Sequence, residues 1–280
     1  MRPLPALALP AALAAALGAA PALAQNPREP AWPGLAAELW DGRAPADGSA
    51  LISIDAPRRT ADDARTQIAA RIAAPAGDGI TRVSLILDEN PMPVSAVFDL
   101  ARPLTAFFFD VTFRVNGPTP VHVVAETGSG ALYSAETFVK TSGQGACSAP
   151  PGTDPDAALA TLGEMALTLT AVGGSGTDDP GQALEALAAR ERQLDIDISH
   201  PSHSGMQMDQ ISLLFIPMRY VESVDVELDG APFAAVTGSI SLSENPALTL
   251  SVPGTTRTAD VTMTDTDGTV THAHTALAGF

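Results

Sequence analysis

The stretch that decides the fold is Ile80-Thr-Arg-Val-Ser-Leu-Ile-Leu87, followed by the turn Asp88-Glu-Asn-Pro91 and then by Val94-Ser-Ala-Val-Phe98. β-Branched and aromatic residues favour strands, whereas Asp, Asn and Pro favour tight turns. The stretch therefore predicts a β-hairpin. A related unit, Val224-Asp-Val-Glu-Leu-Asp-Gly-Ala-Pro-Phe-Ala-Ala235, stands in the second half of the chain. The repetition predicts two similar halves.

Further strand-like segments follow in both halves, separated by turns that contain Gly or Pro. In the first half they lie at 107–115, 121–125 and 132–139, and in the second at 239–243, 247–252, 258–264 and 269–276. Short strands at such regular spacing are typical of a β-sandwich. We predict a mainly β protein of two tandem immunoglobulin-like sandwich domains, with a few helices in the first domain and in the linker.

Three segments carry a helical pattern. At 60–74, Ala64, Ile68 and Ile72 recur every four residues, and Pro75 follows as a stop. A helix over 154–165 is predicted to begin with Asp and then Pro, which is a favourable start. A third is expected over 179–192.

The chain divides into four predicted parts. Residues 1–24 resemble a secretory signal, because an apolar run after Arg2 ends in Ala22-Leu23-Ala24, a pattern that signal peptidase cleaves. We therefore expect export to the periplasm and cleavage after Ala24. The first domain is expected at 35–148, a linker with helices at 149–193, and the second domain at 194–280.

Composition limits the partners. The formal net charge is −17, so phosphate backbones and anionic membrane surfaces would repel the chain, and no nucleic acid is expected as a partner. After residue 24 no stretch is long and apolar enough to predict membrane insertion. The chain lacks the His-Glu-x-x-His, Gly-x-Ser-x-Gly and Cys-x-x-Cys motifs, so no independent catalytic site is predicted.

The single cysteine, Cys147, lies in Thr141-Ser-Gly-Gln-Gly-Ala-Cys-Ser-Ala-Pro-Pro-Gly152. These small residues cannot form a hydrophobic core, so we expect an exposed thiol on an arm made flexible by Gly143 and Gly145. No Arg, His or helix N-terminus is near it in sequence to lower its pKa, and a few per cent of thiolate is therefore expected at neutral pH. The pattern indicates an attachment point for cargo, although an inert buried cysteine is the alternative.

A second cluster comprises His200, His203, Met206 and Met208. Imidazole and thioether groups suit Cu(I), so these four residues are a candidate copper site. The spacing is irregular, and Pro201 and Gly205 favour a turn. A structural loop that enters the second domain is the preferred interpretation, with no metal bound.

Together these segments resemble a fused SoxYZ sulfur carrier, in particular the SoxYZ-like carriers associated with quinoprotein dehydrogenases. Gly143-Gln-Gly-Ala-Cys147 is similar to the glycine-rich cysteine tail of SoxY. His200-Pro-Ser-His-Ser-Gly-Met-Gln-Met-Asp209, continuing to Ile216-Pro-Met-Arg-Tyr-Val221, is similar to SoxZ. Residues 165–192 are predicted to be an insertion.

The resemblance implies a carrier that holds a sulfur-containing intermediate, such as one of thiosulfate oxidation, on Cys147. It would present this adduct to periplasmic redox or sulfur-processing enzymes, with no other cofactor, and the two domains would pack on each other. Unlike the SoxY tail, this arm is internal and would enter a partner's cleft doubled back. Two alternatives stay open: a non-carrier accessory module of a quinoprotein dehydrogenase, and a copper-handling protein.

Overall fold

The structure, a computed structural model, describes residues 31–171 and 191–277 of the 280-residue chain. The strands of the first half are β1 (Ala46–Asp47), β2 (Ile52–Asp55), β3 (Thr66–Ala73), β4 (Ile80–Leu87), β5 (Val94–Leu104), β6 (Ala106–Phe113), β7 (Thr119–Thr127) and β8 (Leu132–Val139). Those that follow are β9 (Met165–Ala171), β10 (Arg192–Ile198), β11 (Val221–Leu228), β12 (Ala231–Thr237), β13 (Ala247–Val252), β14 (Thr258–Asp265) and β15 (Val270–Ala276). Two short helices, α1 (Trp32–Leu39) and α2 (Pro155–Ala160), accompany them. The predicted mainly β class with few helices is confirmed.

The strands form two sheets, and each sheet contains strands from both halves. One has the order β1-β8-β7-β4-β5-β12-β11-β14-β15, and the other β2-β3-β6-β13-β10-β9. The halves join where β5 pairs with β12, with Phe98 opposite Val236, and where β6 pairs with β13, with Phe109 opposite Leu250. Hydrogen-bonded ladders therefore run without interruption from the first half into the second.

The core lies between the two sheets. Buried and half-buried residues alternate along β6, which places Phe107, Phe109 and Phe113 on the inner face. Phe109 stacks on Phe98 of the other sheet, with ring centroids 4.5 Å apart. Each buried phenyl ring stabilises the fold by about 1.5–3 kcal/mol. Buried residues from both halves belong to this one core.

The helix predicted over 60–74 is wrong, because Thr66–Ala73 forms β3. A spacing of four residues fits both one turn of a helix and two repeats of a strand. Ala70, which lies between Ile68 and Ile72, is also buried, and this period of two belongs to a strand. Pairing with β2 and β6 then supplies the backbone hydrogen bonds.

Other differences concern the linker and the second half. The helix expected at 154–165 is the shorter α2, and Met165–Ala171 forms β9, which pairs with β10 at one edge of the smaller sheet. The segment 239–243 is a buried turn instead of a strand. The signal segment 1–24 and most of the helix expected at 179–192 lie outside the described residues, while Arg192 begins β10. Neither described helix has the length and apolar character needed to cross a bilayer.

Candidate functional site

The cysteine arm, which we define as residues 140–152, follows β8 and is held at its base by the first half. The backbone N–H of Ser142 lies 2.9 and 3.1 Å from the two carboxylate oxygens of Asp63, and the Ser142 hydroxyl donates to the same carboxylate. Burial raises the pKa of Asp63, but hydrogen bonds from Ser142 and Thr60 outweigh it and leave this pKa lowered. Asp63 is thus a charged anchor for the arm.

Gly143 and Gly145 give the arm its bend. Their φ angles are 84° and 76°, in the left-handed region that is unfavourable for residues with a side chain. A Cβ atom at Gly145 would also lie 3.2 Å from the hydroxyl of Ser148. Both glycines are required by this backbone path, and the flexibility expected of them stays a prediction.

Cys147 lies in a single 3₁₀ turn, Ala146–Ser148, and has 0% of its surface exposed. The expectation of an exposed thiol is therefore wrong for this conformation. Its backbone N–H donates to the side-chain oxygen of Asn116 at 3.1 Å, and the N–H of Asn116 donates to Asn90 at 2.9 Å. The shielding comes from residues far away in sequence, which local composition cannot reveal.

A segment of the second half, residues 200–207, covers the arm, and we call it the covering loop. The hydroxyl of Ser204 donates to the carbonyl oxygen of Cys147. The amide nitrogen of Gln207 donates to the carbonyl oxygen of Ala149 at 3.0 Å. These bonds flank the thiol, and they are contacts between the two halves.

The covering loop is ordered by His200 and His203. The Nδ1 atom of His200 accepts a hydrogen bond of 2.9 Å from the Ser202 N–H, and its Nε2 atom lies 3.4 Å from Asp265. Burial lowers the pKa of His200 to about 4, although the contact with Asp265 acts in the opposite direction. His203 contacts Gln207, and burial lowers its pKa as well. Both imidazoles are consequently neutral near pH 7.

Arg114, which directly follows β6, is a buried cation beside the arm. Its Nη1 atom donates to the carbonyl oxygens of Ser202, at 2.7 Å, and Leu242, at 2.6 Å. Burial lowers the pKa of Arg114, whereas the charges of Cys147 and Glu244 act to raise it. Arg114 thus connects the first half to the covering loop, and its charge acts on the thiol.

The environment of Cys147 suppresses ionisation. Burial raises the pKa of the Cys147 thiol to about 11, against a smaller lowering by the charge of Arg114. At pH 7 this leaves a thiolate fraction of about one in ten thousand, well below the few per cent expected from sequence. In the closed conformation the thiol is therefore a poor nucleophile.

Two open clefts border the arm. One, of about 250 Å³, is lined by Arg114, Gln207 and Glu244 among others, and the second, of about 360 Å³, by Asp63 and Ser142 among others. Ala146 and Ala149, on either side of the thiol, line both clefts. The residues on either side of Cys147 therefore border both clefts.

Comparison with protein families identifies both halves of the chain. The family model "Sulfur oxidation protein SoxY" matches residues 36–147, and the model "Sulphur oxidation protein SoxZ" matches residues 184–276. The chain is a SoxYZ-type protein. Its SoxY and SoxZ domains stand in tandem, as the sequence predicted.

Solved structures add a weaker likeness. The match to the sulfur carrier protein SoxY from Chlorobium limicola f thiosulfatophilum has 26% sequence identity and a TM-score of 0.35. It covers 40% of this chain and 96% of that SoxY chain. The match to a superoxide reductase (neelaredoxin) from Ignicoccus hospitalis has 15% sequence identity and a TM-score of 0.27. It covers 37% of this chain and 91% of the reductase chain. No curated protein matches the chain.

The domain assignment places the site at a domain boundary. Cys147 is the last residue matched by the SoxY model, and the covering loop lies within the SoxZ match. The SoxZ domain thus supplies the cover for the thiol of the SoxY domain.

The four residues of the candidate copper site lie in or next to the covering loop. Both ring nitrogens of His200 have hydrogen-bonding partners, and the backbone of Met208 bridges to Phe215. Within residues 31–171 and 191–277, no three or more His, Cys, Asp and Glu side chains group in a way that could hold a metal ion. Whether His200, His203, Met206 and Met208 bind copper stays a prediction.

An apolar loop, residues 208–218, follows the covering loop in the SoxZ domain. Its exposed large side chains are Met208, Ile211, Leu213, Leu214, Phe215 and Met218, and Ile211 is 94% exposed. The N–H of Asp209 donates to Leu214 at 2.9 Å, so the loop has a defined turn. The N–H of Ile216 donates to the Gln207 carbonyl at 2.8 Å, which connects this turn directly to the covering loop.

Sequence reasoning missed Arg114, Asn116 and Asp63. A signal for Arg114 was present, because a single arginine stands between Phe113 and Val115 at the end of an apolar run. Asn116 lies in an irregular segment and Asp63 in a turn, and nothing in the local sequence marks them as neighbours of Cys147.

Proposed function

We propose that this SoxYZ-type protein is a periplasmic covalent carrier that alternates between a closed arm, with Cys147 buried, and an open arm that presents the thiol or its adduct to partner enzymes. The observation that carries the proposal is how Cys147 is buried. Small residues surround it in sequence, and hydrogen bonds to Asn116, Ser204 and Gln207 flank it. Such contacts are separable without disrupting the main core.

The energetics agree with an arm that opens. A hydrogen bond contributes about 0.5–1.5 kcal/mol to stability, so the bonds around Cys147 together amount to a few kcal/mol. A difference of this size leaves a minor open population of about 0.1–10%. In the open state the thiol leaves the site that raises its pKa, and its reactivity returns towards that of an ordinary cysteine.

The apolar loop supports recognition by a partner enzyme. Its exposed side chains lie in the segment that continues directly from the covering loop, so an enzyme bound there would be next to the arm that it must receive. Exposed apolar patches on soluble proteins commonly mark interaction sites. We infer that a sulfur-processing enzyme with a complementary apolar surface docks at this loop.

The carrier role is tested by the intact mass of the protein isolated from its native source, with and without reductant. We expect a reductant-removable adduct on Cys147 that contains sulfur, and a chain that begins at Gln25. A Cys147→Ser variant should carry none. Bare thiol under active sulfur metabolism would refute the carrier role.

Docking is tested with the partner enzyme that removes the adduct from Cys147. This enzyme is purified from the native source, and each fraction is assayed for removal of the adduct. The combined changes Leu213→Ser, Leu214→Ser and Phe215→Ser should raise its KM for the carrier several-fold and leave kcat unchanged. Val270→Ser, a change of an exposed apolar residue outside the loop, is the matched control. An unchanged KM would exclude the apolar loop as the docking surface.

The burial of Cys147 also fits a second candidate, a non-carrier accessory module of a quinoprotein dehydrogenase, in which the cysteine is incidental. The buried thiol with a raised pKa is what an incidental cysteine would show. The Cys147→Ser variant distinguishes the two functions, since it abolishes a carrier and leaves an accessory module active.

A further inference from the structure

The edge of the larger sheet that lies along β8 is paired only near its two ends. At the first end β8 pairs with β1, and the N–H of Gly48 donates to the Ser134 carbonyl oxygen at 2.7 Å. The chain then leaves this edge, forms β2 in the smaller sheet and returns at Thr60, whose N–H donates to the Lys140 carbonyl oxygen at 2.9 Å. Lys140 follows Ser134 by six residues. A gap of about 20 Å, which we call the β8 gap, therefore separates the two contacts.

Glu136 and Phe138 present unpaired backbone groups in the β8 gap. Residues of an antiparallel pair alternate between positions that bond to the neighbouring strand and positions that do not. Ser134 and Lys140 point their backbone groups away from β7, and Glu136 and Phe138 lie in the same alternation between them. Among the described residues, no hydrogen bond reaches the N–H and C=O groups of Glu136 and Phe138. Such an edge is a template for a further strand.

An open cleft of about 500 Å³ lies at the β8 gap. Residues 134–137 of β8 line it, together with Ile52 and Ile54 of β2 on one side and Trp32 and His122 on the other. Ile52 and Ile54 border the core between the two sheets, whereas Trp32 stacks on His122 on the outer face, with ring centroids 3.7 Å apart. A strand in the gap would therefore turn alternate side chains towards an apolar inner side and towards an outer side.

The outer side combines negative charge with an exposed ring. The side chain of Glu136 is 59% exposed, and Phe138, on the same face of β8, is 46% exposed. No Lys or Arg is among the described residues that line the cleft, whereas Asp47 lines it as well. The histidine there, His122, lies 3.3 Å from Asp88 and 3.9 Å from Glu136, so carboxylates offset its charge when it is protonated. The cleft therefore favours a cationic side chain beside Glu136.

The two ends of the β8 gap disfavour a second copy of the chain as the occupant. β1 and residues 58–60 lie along the same edge on either side of the gap, and a facing β8 would bring its own flanking segments against them. The net charge of −17 also makes two copies repel each other. A single extended segment without neighbouring strands of its own meets neither obstacle.

We propose that the β8 gap is a second docking site, at which an exposed segment of a partner protein adds a short strand to the larger sheet. The segment carries Lys or Arg opposite Glu136 and an aromatic or β-branched residue opposite Phe138, with apolar residues between them that face β2. Arg59 and Lys140 border the far end of the gap, outside the cleft, which restricts the cation to the Glu136 end. In strand addition, backbone hydrogen bonds supply affinity and alternate side chains supply specificity. The inference goes beyond the proposed function, because it requires no adduct on Cys147.

Binding is tested by fluorescence anisotropy with the full chain and a fluorescein-labelled probe peptide, Thr-Val-Lys-Val-Tyr-Val-Thr-amide. Two N-methylated forms of the probe are compared, one methylated at Lys and Tyr and the other at the valines that follow them. An added strand turns only alternate N–H groups towards β8, so one form should bind about tenfold more weakly and the other like the parent probe. The form that loses affinity identifies an antiparallel or a parallel strand. Equal affinities of the two forms would exclude backbone pairing and overturn the proposal.

A charge exchange tests the predicted cation. Glu136→Lys should weaken binding of the probe about three- to fivefold, the range of an exposed ion pair. The same variant should bind a probe with Glu in place of Lys more tightly than wild type does. Glu227→Lys, which changes an exposed carboxylate on β11, is the matched control and should alter neither affinity. Affinities that Glu136→Lys leaves unchanged would refute the assigned cation.

Hydrogen exchange of single amides, followed by NMR, locates the bound strand. In the free protein the amides of Glu136 and Phe138 should exchange much faster than that of Thr137, which pairs with β7, and saturating probe should slow both about tenfold or more. Slow exchange of both amides without probe would show that the gap is already filled, by the chain itself or, if it depends on protein concentration, by a second copy, and would overturn the proposal. Cys147→Ser should bind the probe as wild type does, so failure of the carrier role and failure of this docking site are distinguishable.

Discussion

The side-chain amide of Gln207 donates a hydrogen bond of 3.0 Å to the carbonyl oxygen of Ala149, two residues beyond Cys147. Gln207 belongs to the SoxZ domain and Ala149 to the cysteine arm. The opening of the arm therefore requires that a contact with the SoxZ domain be broken. In the proposed carrier, access to the thiol is therefore under the control of a domain that does not carry it.

Gln207→Ala should increase the rate at which iodoacetamide labels Cys147. The loss of about 1 kcal/mol of closing free energy raises the open population, and hence the rate, about fivefold. Mass spectrometry of timed samples measures this rate. Gln67→Ala, which removes an equal side chain bonded to Asp110 in the smaller sheet, should leave it unchanged. Equal rates for Gln207→Ala and wild type would mean that Gln207 does not restrain the arm.

Asp63→Ala should also accelerate labelling, because Asp63 holds the base of the arm through Ser142. If residues 140–152 open as one unit, the effects of Asp63→Ala and Gln207→Ala multiply in the double variant, as expected for independent contributions to one opening free energy. Labelling unaffected by Asp63→Ala would show that Cys147 is exposed by a smaller movement with the base still anchored.

Alkaline pH should destabilise wild type more than Cys147→Ala. The folded-state pKa of Cys147 is about 11 and its unperturbed value is 9.0, so the unfolded state loses its proton first as pH rises. The neutral thiol's contribution to the free energy of unfolding is fully present below pH 9 and is lost as pH rises towards 11. At pH 10 the loss is about 1 kcal/mol. Urea denaturation of both proteins at pH 8 and pH 10, with reductant, measures the difference. If the free energies of unfolding of the two proteins differed by the same amount at pH 8 and pH 10, the burial of the thiol would be contradicted.

Acid should destabilise the protein through His200. Burial lowers its folded-state pKa to about 4 from 6.5, so below pH 6.5 the unfolded state binds the extra proton. Stability is therefore lost as pH falls from about 6.5 to about 4, and the loss amounts to about 2 kcal/mol at pH 5. His200→Gln should show a smaller loss over this range in urea denaturation. His272→Gln, an exposed histidine on β15, is the control.

The strands were predictable because the two-residue alternation that defines a strand is visible within a single segment. Along β6 the period-two burial of Phe107, Phe109 and Phe113 follows directly from the pattern of the sequence. The same logic failed at β3, where a four-residue spacing of Ile68 and Ile72 fits both a strand and a helix. Pairing with neighbouring strands decided the outcome, and pairing is not visible in a single segment.

The site was predictable only in part, for a related reason. Cys147 was found because it is the single cysteine in a stretch of small residues. Its burial was not foreseen, since Ser204 lies 57 residues away and Asn116 lies 31 residues away. Arg114 was missed because its partners are backbone carbonyls, which every residue possesses.

The joining of β5 to β12 and of β6 to β13 has a consequence for biogenesis. During synthesis the SoxY domain emerges first. The edges of β5 and β6 stay unpaired until more than a hundred further residues have been made and β12 and β13 can pair with them. Unpaired strand edges of this kind readily pair with other chains. The isolated N-terminal half is therefore expected to aggregate, and the growing chain depends on rapid completion or on a chaperone that shields these edges.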